Sequence, residues 1–143
     1  MTLVSTEWLN SNLSKVKIFD ASWHMPSTKR SGQNEYSNKH IPGALFWDLD
    51  EHSDKDSPFP HMLPNSDYWT RMLWSFGIKN DDHIVVYDFS DVHSACRLCF
   101  SAYSFFASRF VIGRCQLASN ILTLLKLLLS HSVETKVILK IFF

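Results

Sequence analysis

Residues 36–50, YSNKHIPGALFWDLD, place a turn, a strand and several polar groups next to one another. Pro42 fixes its own φ angle and pushes the preceding residue toward extended geometry, whereas Gly43 is free to adopt a positive φ. This combination predicts a sharp, rigid turn. The apolar run 44–47 that follows predicts a buried strand, and the Asp-Leu-Asp sequence ending at Asp50 places carboxylates at the tip of that strand.

Two further runs have the composition of strands, residues 16–21 (VKIFDA) and residues 83–87 (HIVVY). The second is short and continuously apolar, which is typical of a strand buried on both faces. Between them, residues 67–76 carry apolar side chains at helical spacing, with Ser66 as the predicted N-cap and Gly77 where a left-handed residue is favoured. Strand and helix alternate, which predicts an α/β fold with a mainly parallel sheet flanked by helices. In such folds the loops at the carboxyl ends of the strands carry the chemistry.

The polar segments around these elements predict one short helix and two loops. Ser5 is the predicted cap of a helix that ends near Ser14. Residues 22–33 predict an exposed loop, followed by one helical turn over residues 34–39. Residues 51–66 contain three prolines and no apolar period, and they predict a long irregular loop of the kind retained for function or packing.

Composition predicts one globular core and excludes several functional classes. The chain has 143 residues, 45% of them hydrophobic, which is enough to bury a single core. Its basic residues form no run of the kind that binds nucleic acid. The longest apolar stretch, residues 121–129, is interrupted by Lys126 and is too short to cross a membrane. An odd cysteine count and an N-terminus without a leader pattern predict a cytoplasmic protein.

Four motifs resemble, in order and spacing, the N-terminal domain of two-domain rhodanese-type sulfurtransferases, the thiosulfate and 3-mercaptopyruvate enzymes. They are the opening stretch, DASW at residues 20–23, SPFPHMLP at residues 57–64 and VVYD at residues 85–88. The resemblance covers residues 3–100 and implies an incomplete N-terminal rhodanese-like module over residues 1–100.

The resemblance also implies where the nucleophile would be. In these enzymes the C-terminal module carries a cysteine directly after a strand, with a thiolate or persulfide held by backbone N–H groups. The equivalent position here is Asp88, and a carboxylate cannot accept a sulfane sulfur. A separate C-terminal module is absent from the sequence, so we expect no independent sulfur transfer. A rhodanese C-terminal module is the partner that the resemblance suggests.

The resemblance further implies that the N-terminal module lends a histidine and an aspartate to a cleft between the two modules. By position these are His61 and Asp50, which would assist a serine of the partner. The alternative for His61 is a loop histidine that caps backbone groups, and for Asp50 a carboxylate bonded to nearby N–H groups. His40 is predicted to be a turn histidine with its hydrogen bonds satisfied.

Residues 101–143 depart from the family and form a divergent tail. Residues 1–100 hold 13 acidic and 9 basic residues, whereas the tail holds one acid and five bases, with no Asp-Gly-Gly strand end. We hypothesise that the tail is out of the ancestral reading frame, which translation of the DNA in the other frames would test. Residues 119–130 predict a Leu-rich helix, residues 135–143 an alternating or edge strand, and VILKIFF predicts poor solubility.

The CxxC sequence formed by Cys96 and Cys99, preceded by His93, has three interpretations. Incidental core cysteines, a reactive thiol at Cys96 near a helix N-terminus, and a metal site are all compatible with the spacing. Structural zinc needs four ligands, and Cys115 is the sole downstream sulfur, so no metal and no cofactor is predicted.

Two hypotheses for function therefore remain. The first is an active rhodanese-type sulfurtransferase that transfers sulfane sulfur to a thiol or cyanide. The second is a catalytically empty module, which is a fragment or the partner of a separate C-terminal half. Asp88 at the nucleophile position favours the second.

Overall fold

The computed structural model describes residues 2–106 and 137–142. Within them, five strands form one sheet: Thr2–Leu3 (β1), Lys17–Asp20 (β2), Ala44–Phe46 (β3), His83–Asp88 (β4) and Val137–Phe142 (β5). Their order across the sheet is β1-β5-β4-β2-β3. β2 pairs in parallel with β3 and β4, whereas β5 is antiparallel to both β4 and β1.

The described residues also form four α-helices, which are Thr6–Asn12 (α1), Gly32–Asn38 (α2), Ser66–Ser75 (α3) and Ala95–Phe106 (α4). The predicted α/β fold is confirmed: β3, β2 and β4 form the parallel part of the sheet, which is flanked by helices, and β5 and β1 add an antiparallel part.

Local signals in the sequence explain where the helices begin and end. Ser5 caps α1, since its hydroxyl accepts the Trp8 N–H at 3.1 Å, as predicted. The predicted cap of α3 was wrong by one residue: Ser66 is the first helical residue, and Asn65 accepts the Tyr68 N–H at 2.8 Å. Asn and Ser are equally good caps, so composition alone does not separate them. Gly77 follows α3 with a φ of 68°, in the left-handed region that the sequence predicted.

The core lies on both faces of the sheet because β4 is buried on both sides. Ile84 and Val86 join a cluster with buried residues of α3 and α4, whereas Val85 and Tyr87 join a second cluster that includes Leu9 of α1. Side chains of a strand alternate between faces, so a continuously apolar strand fits only between two layers. The prediction from HIVVY is confirmed for residues 84–87, while His83 is exposed.

The predicted exposed loop over residues 22–33 was wrong at its start. Ser22 and His24 are buried, Pro26–Thr28 forms a short 3₁₀ turn, and α2 begins at Gly32. These polar side chains are buried because each has hydrogen-bond partners, the Ser22 hydroxyl with Asp20 and the His24 ring with Glu35. Their burial ties the loop to the sheet.

The tail contributes β5, which was predicted as an alternating or edge strand. It is not an edge strand, because it pairs along β4 on one side and with β1 on the other. β5 therefore covers one edge of β4. The predicted helix over residues 119–130 lies outside the described residues.

The strand register sets the position of the functional loops. Asp20, the last residue of β2, pairs with Phe46 at the end of β3 and with Tyr87 near the end of β4. The carboxyl ends of three parallel strands thus meet at one edge of the sheet, and the loops that follow them come together there. None of the helices in the described part of the chain has the length and apolar character needed to cross a membrane.

Candidate functional site

Asp50 and His61 form a hydrogen-bonded pair at this edge of the sheet. The His61 Nε2 atom lies 2.8 Å from the Asp50 Oδ1 atom. Because a carboxylate oxygen accepts, Nε2 carries the hydrogen, and in the neutral ring Nδ1 then has the lone pair. The imidazole is 31% exposed and the Asp50 side chain 63%, so solvent or a partner can reach both. The structure brings together the two residues that the sequence predicted, and their catalytic role remains a prediction.

Two turns in the loop after β3 bring Asp50 and His61 together. The Asp48 carboxylate accepts the Asp50 N–H at 2.8 Å, which makes a tight turn just after the strand. The Asp54 N–H donates to the Met62 carbonyl at 2.9 Å and closes the loop back on itself. His61 itself has a φ of 57°, which is uncommon for a residue with a side chain. This proline-rich loop, predicted to be irregular, is therefore fixed by specific hydrogen bonds.

Trp23 contacts both members of the pair, and sequence reasoning had assigned it no role. Its indole Nε1–H donates to Asp50 Oδ2 at 2.8 Å, and its ring packs edge-on against the His61 ring at a centroid distance of 4.9 Å. The signal available in the sequence was an aromatic residue with a polar hydrogen in the DASW motif, directly after a strand end.

Arg97 is the second residue that sequence reasoning missed. Its guanidinium donates to the His61 backbone carbonyl and lies over the ring of Phe100, 5.9 Å from the ring centroid. Partial burial lowers the pKa of Arg97, although a guanidinium stays charged at any physiological pH. The side chain extends from the first turns of α4, so a helix anchors the loop that carries His61.

Asp88 lies at the end of β4 with a fully buried carboxylate. Oδ1 accepts the Ser90 N–H at 3.2 Å, and Oδ2 accepts the Ala95 N–H at 2.5 Å, at the start of α4. Burial raises the pKa of Asp88, and the nearby charge of Asp20 raises it further. The carboxyl group of Asp88 thus occupies one backbone N–H at the start of α4 and one in the loop before it.

Asp20, at the end of the neighbouring strand β2, is a second buried acid. Its Oδ1 accepts the backbone N–H of Ser22 at 2.9 Å and the Ser22 hydroxyl at 2.5 Å. Its Oδ2 has no hydrogen-bond partner among the described residues. Burial raises the pKa of Asp20, with the hydrogen bonds from Ser22 acting in the opposite direction.

Hydrogen bonds join the loop after β2 to the loop after β4. The Ser90 hydroxyl donates to the Trp23 carbonyl at 2.5 Å, and the Ser94 hydroxyl accepts the Trp23 N–H at 3.0 Å. Ser94 also donates to the Ala21 carbonyl at 2.6 Å. Trp23 therefore connects the segment that follows Asp88 with the Asp50–His61 pair.

The cysteines of the CxxC sequence differ in exposure. Cys96 is exposed on the first turn of α4, and Cys99 is buried one turn further along. Cys115 lies outside the described residues. Within the described part of the chain, no group of three or more His, Cys, Asp or Glu side chains is placed to hold a metal ion. His40 bonds its Nδ1 to the Tyr36 carbonyl at 2.7 Å, as expected for a turn histidine.

Exposed apolar side chains lie on the segments that carry the site. They are Phe59 and Met62 beside His61, Val92 in the loop after Asp88, and Phe100 below Arg97. Phe59 is 67% exposed.

Comparison with known proteins identifies the family. The profile of the rhodanese-like domain matches residues 5–113. The chain is 45% identical over 98 residues to the mitochondrial thiosulfate/3-mercaptopyruvate sulfurtransferase 1 of Arabidopsis thaliana, an alignment that covers 67% of this chain and 26% of the relative. It is 42% identical to the thiosulfate sulfurtransferase of Bos taurus, with 64% of this chain and 33% of that protein covered.

A solved structure points to the same family. The crystal structure of the 3-mercaptopyruvate sulfotransferase SseA from Escherichia coli matches with a TM-score of 0.64 and 35% identity, covering 69% of this chain and 39% of that one. The chain thus spans about a quarter to a third of the length of these two curated relatives. On the agreement of profile, relatives and fold, the chain belongs to the family of rhodanese-like domains, whose members matched here are sulfurtransferases.

Proposed function

We propose that this chain acts as the N-terminal module of a thiosulfate/3-mercaptopyruvate sulfurtransferase and does not transfer sulfur on its own. The observation that carries the proposal is the buried carboxylate of Asp88 at the end of β4. It uses the N–H groups of Ser90 and Ala95, the type of donor that would otherwise stabilise a thiolate or persulfide.

The chemistry of sulfur transfer explains why Asp88 matters. A thiolate attacks the transferable sulfur of the donor and a persulfide forms on the enzyme, while the bond from that sulfur to the rest of the donor breaks. The electron pair of that bond leaves with sulfite from thiosulfate, or with the enolate of pyruvate from 3-mercaptopyruvate, which then takes up a proton. A carboxylate oxygen is a poor nucleophile toward sulfur and forms no stable persulfide equivalent. The carboxylate at the end of β4 therefore supports a module without a nucleophile.

We infer that the Asp50–His61 pair acts on a group supplied by a rhodanese C-terminal module. With Nε2–H donated to Asp50, the His61 Nδ1 lone pair can take a proton from a hydroxyl or thiol, and the carboxylate stabilises the imidazolium that results. The exposed Phe59 and Met62 on either side of His61 support an apolar contact with that module.

A sulfurtransferase assay with purified components tests this proposal. The chain is assayed alone with thiosulfate or 3-mercaptopyruvate and a cyanide or thiol acceptor, and then with a separately produced rhodanese C-terminal module. We expect no turnover by the chain alone and a gain in the mixture. Substituting Asp50→Asn or His61→Gln should reduce the turnover of the mixture by about a hundredfold.

The alternative, an active sulfurtransferase, predicts turnover by the chain alone. Such turnover would refute our proposal. A Cys96→Ser variant would then show whether the exposed thiol on α4 is the nucleophile.

A further inference from the structure

The Asp50–His61 pair is held from both ends by residues that belong to other segments. We propose that Trp23 and Arg97 are positioning residues, Trp23 for the Asp50 carboxylate and Arg97 for the His61 ring. The inference deepens the proposed function, because it assumes that the pair is the part of this module that meets the reacting groups.

Trp23 fixes the orientation of an exposed carboxylate. An ion pair with an exposed Asp gains little by itself, since water competes and the side chain rotates. The Trp23 indole has one N–H, and it donates to Oδ2 at 2.8 Å, which leaves Oδ1 for His61. The Trp23 backbone is itself bonded through both its N–H and its carbonyl, to Ser94 and Ser90. The indole is therefore a rigid donor on which the carboxylate is aligned.

Arg97 fixes the backbone on which the imidazole is carried. His61 has a φ of 57° in a loop without regular structure, and this conformation is unfavourable for a residue with a Cβ. The Arg97 guanidinium donates to the His61 carbonyl from α4, which is a rigid element, and its position over Phe100 restrains it further. A bond to the carbonyl holds the peptide plane of His61 and hence the direction of its ring.

Together these contacts determine which nitrogen of the His61 ring is available to accept a proton. Asp50 aligned by Trp23 accepts from Nε2, and the backbone held by Arg97 keeps the ring within reach of Asp50. Nδ1 then faces away from Asp50 with its lone pair. Loss of either positioning residue should let the imidazole ring rotate. A smaller fraction of molecules would then have His61 Nε2 hydrogen-bonded to Asp50.

Acylation of histidine by diethyl pyrocarbonate measures this directly on the chain alone. The reagent attacks an imidazole nitrogen that carries a lone pair. Peptide mass spectrometry gives a separate rate for each histidine, and NMR of the product distinguishes acylation at Nδ1 from acylation at Nε2. In the wild type Nε2 donates to Asp50 and the reagent reaches the Nδ1 lone pair, so the informative His61 rate is that of acylation at Nε2. We expect this rate to be about fivefold higher in Trp23→Phe and Arg97→Met, the scale of one lost hydrogen bond. Asp50→Asn should give the same increase, and Arg97→Lys, which keeps a charged donor, should retain most of the protection.

Matched controls separate positioning from a general loss of structure. Trp74→Phe and Arg71→Met make the same chemical changes at exposed positions on α3, and they should leave the His61 rate unchanged. The exposed His93 should react equally in all variants, and the buried His24 should stay unreactive in every folded one. Since Trp23 and Arg97 lie on different segments, either variant that keeps His24 unreactive is informative.

An unchanged His61 rate in a folded Trp23→Phe or Arg97→Met variant, with a faster rate in Asp50→Asn, would overturn the inference for that residue. Hydrogen exchange of the Trp23 indole N–H by NMR is a second test that needs neither variant. The exchange should be slow in the wild type and faster in Asp50→Ala, and equal rates would contradict the role of Trp23. Both readouts are independent of sulfur transfer. If the mixture with the C-terminal module shows no sulfurtransferase turnover, the proposed function is refuted and this inference is unaffected.

Discussion

The Asp88 carboxylate accepts the backbone N–H of Ala95 at 2.5 Å, across the loop that joins β4 to α4. The carboxylate lies at the positive end of the α4 dipole, but it is buried beside Asp20, a second buried acid at the adjacent strand end. Burial raises the pKa of both acids. Two carboxylates in one buried layer make the loop sensitive to pH.

Asp88→Asn should gain stability relative to the wild type as the pH rises. A folded pKa above the unfolded value of about 3.9 means that the folded state binds the proton more tightly. The wild type therefore loses stability as the pH rises from the unfolded pKa through the folded pKa, and Asn does not titrate. Urea unfolding of both proteins at a series of pH values gives the difference. Asp81→Asn, at an exposed turn position, is the control. A difference between Asp88→Asn and the wild type that is the same at every pH would contradict the prediction.

Gly32→Ala should destabilise the protein more than Gly43→Ala, for different reasons. A Cβ at Gly32 would lie 2.0 Å from the Ser22 carbonyl oxygen, so backbone must move, at a cost of about 2 to 3 kcal/mol. Gly43 has a φ of 79° with open space around the Cβ position, so only conformational strain of about 1 kcal/mol is expected. The free energy of unfolding in urea measures both. Equal losses of unfolding free energy in the two variants would contradict the prediction and would show that the backbone at Ser22 moves away from the new Cβ at little cost.

Arg30 and Glu35 should show a measurable coupling energy. Two N–H groups of Arg30 donate to the two carboxylate oxygens of Glu35, at 2.7 and 2.8 Å, and the buried His24 ring contacts the same carboxylate. A double-mutant cycle with Gln at each position should give about 1 kcal/mol.

The exposed pair Lys55–Glu51, 3.9 Å apart, should give a coupling energy near zero and is the matched control. The Arg30 hydrogen bonds lower the pKa of Glu35. The stability that the Arg30–Glu35 pair contributes should therefore be present above the unfolded pKa of Glu35, about 4.3, and be lost as the pH falls through its folded pKa. A cycle that gives no larger value for Arg30–Glu35 than for Lys55–Glu51 would refute the prediction.

Cys96 should be alkylated in the native protein, and Cys99 only after unfolding. Cys96 is exposed, whereas Cys99 is 2% exposed within the cluster between α3, α4 and the sheet. Mass spectrometry after iodoacetamide treatment, with and without urea, distinguishes the two. Cys96→Ser provides the control. We expect an ordinary rate at Cys96, and a rate far above that of a small thiol would instead support a reactive thiol.

The sequence predicted local structure best where one residue type determines the backbone. Gly43 and Gly77 both adopt positive φ angles, and the apolar run 83–87 is the central strand β4. The resemblance to rhodanese-type enzymes brought Asp50 and His61 into consideration, and the structure places them in contact.

The contacts that were missed join segments far apart in the chain. The Trp23 bond to Asp50 spans 27 positions and the Arg97 bond to His61 spans 36, so no local pattern encodes them. Ser22 and His24 look exposed by composition and are buried, because the Ser22 hydroxyl also accepts the N–H of Phe89 in the loop after β4 and the His24 ring bonds Glu35 on α2. The pairing of residues 137–142 on both sides depends likewise on the far end of the sequence.

The position of β5 has a consequence for how the protein forms. The sheet brings Thr2 opposite Lys140, so its last pairings join positions near the two ends of the described chain. During synthesis, β2, β3 and β4 are available long before residues 137–142 leave the ribosome. Until then the β4 edge has no partner from β5, and other nascent chains can pair with it. The yield of folded protein should therefore depend on how quickly the final strand arrives compared with encounters between chains.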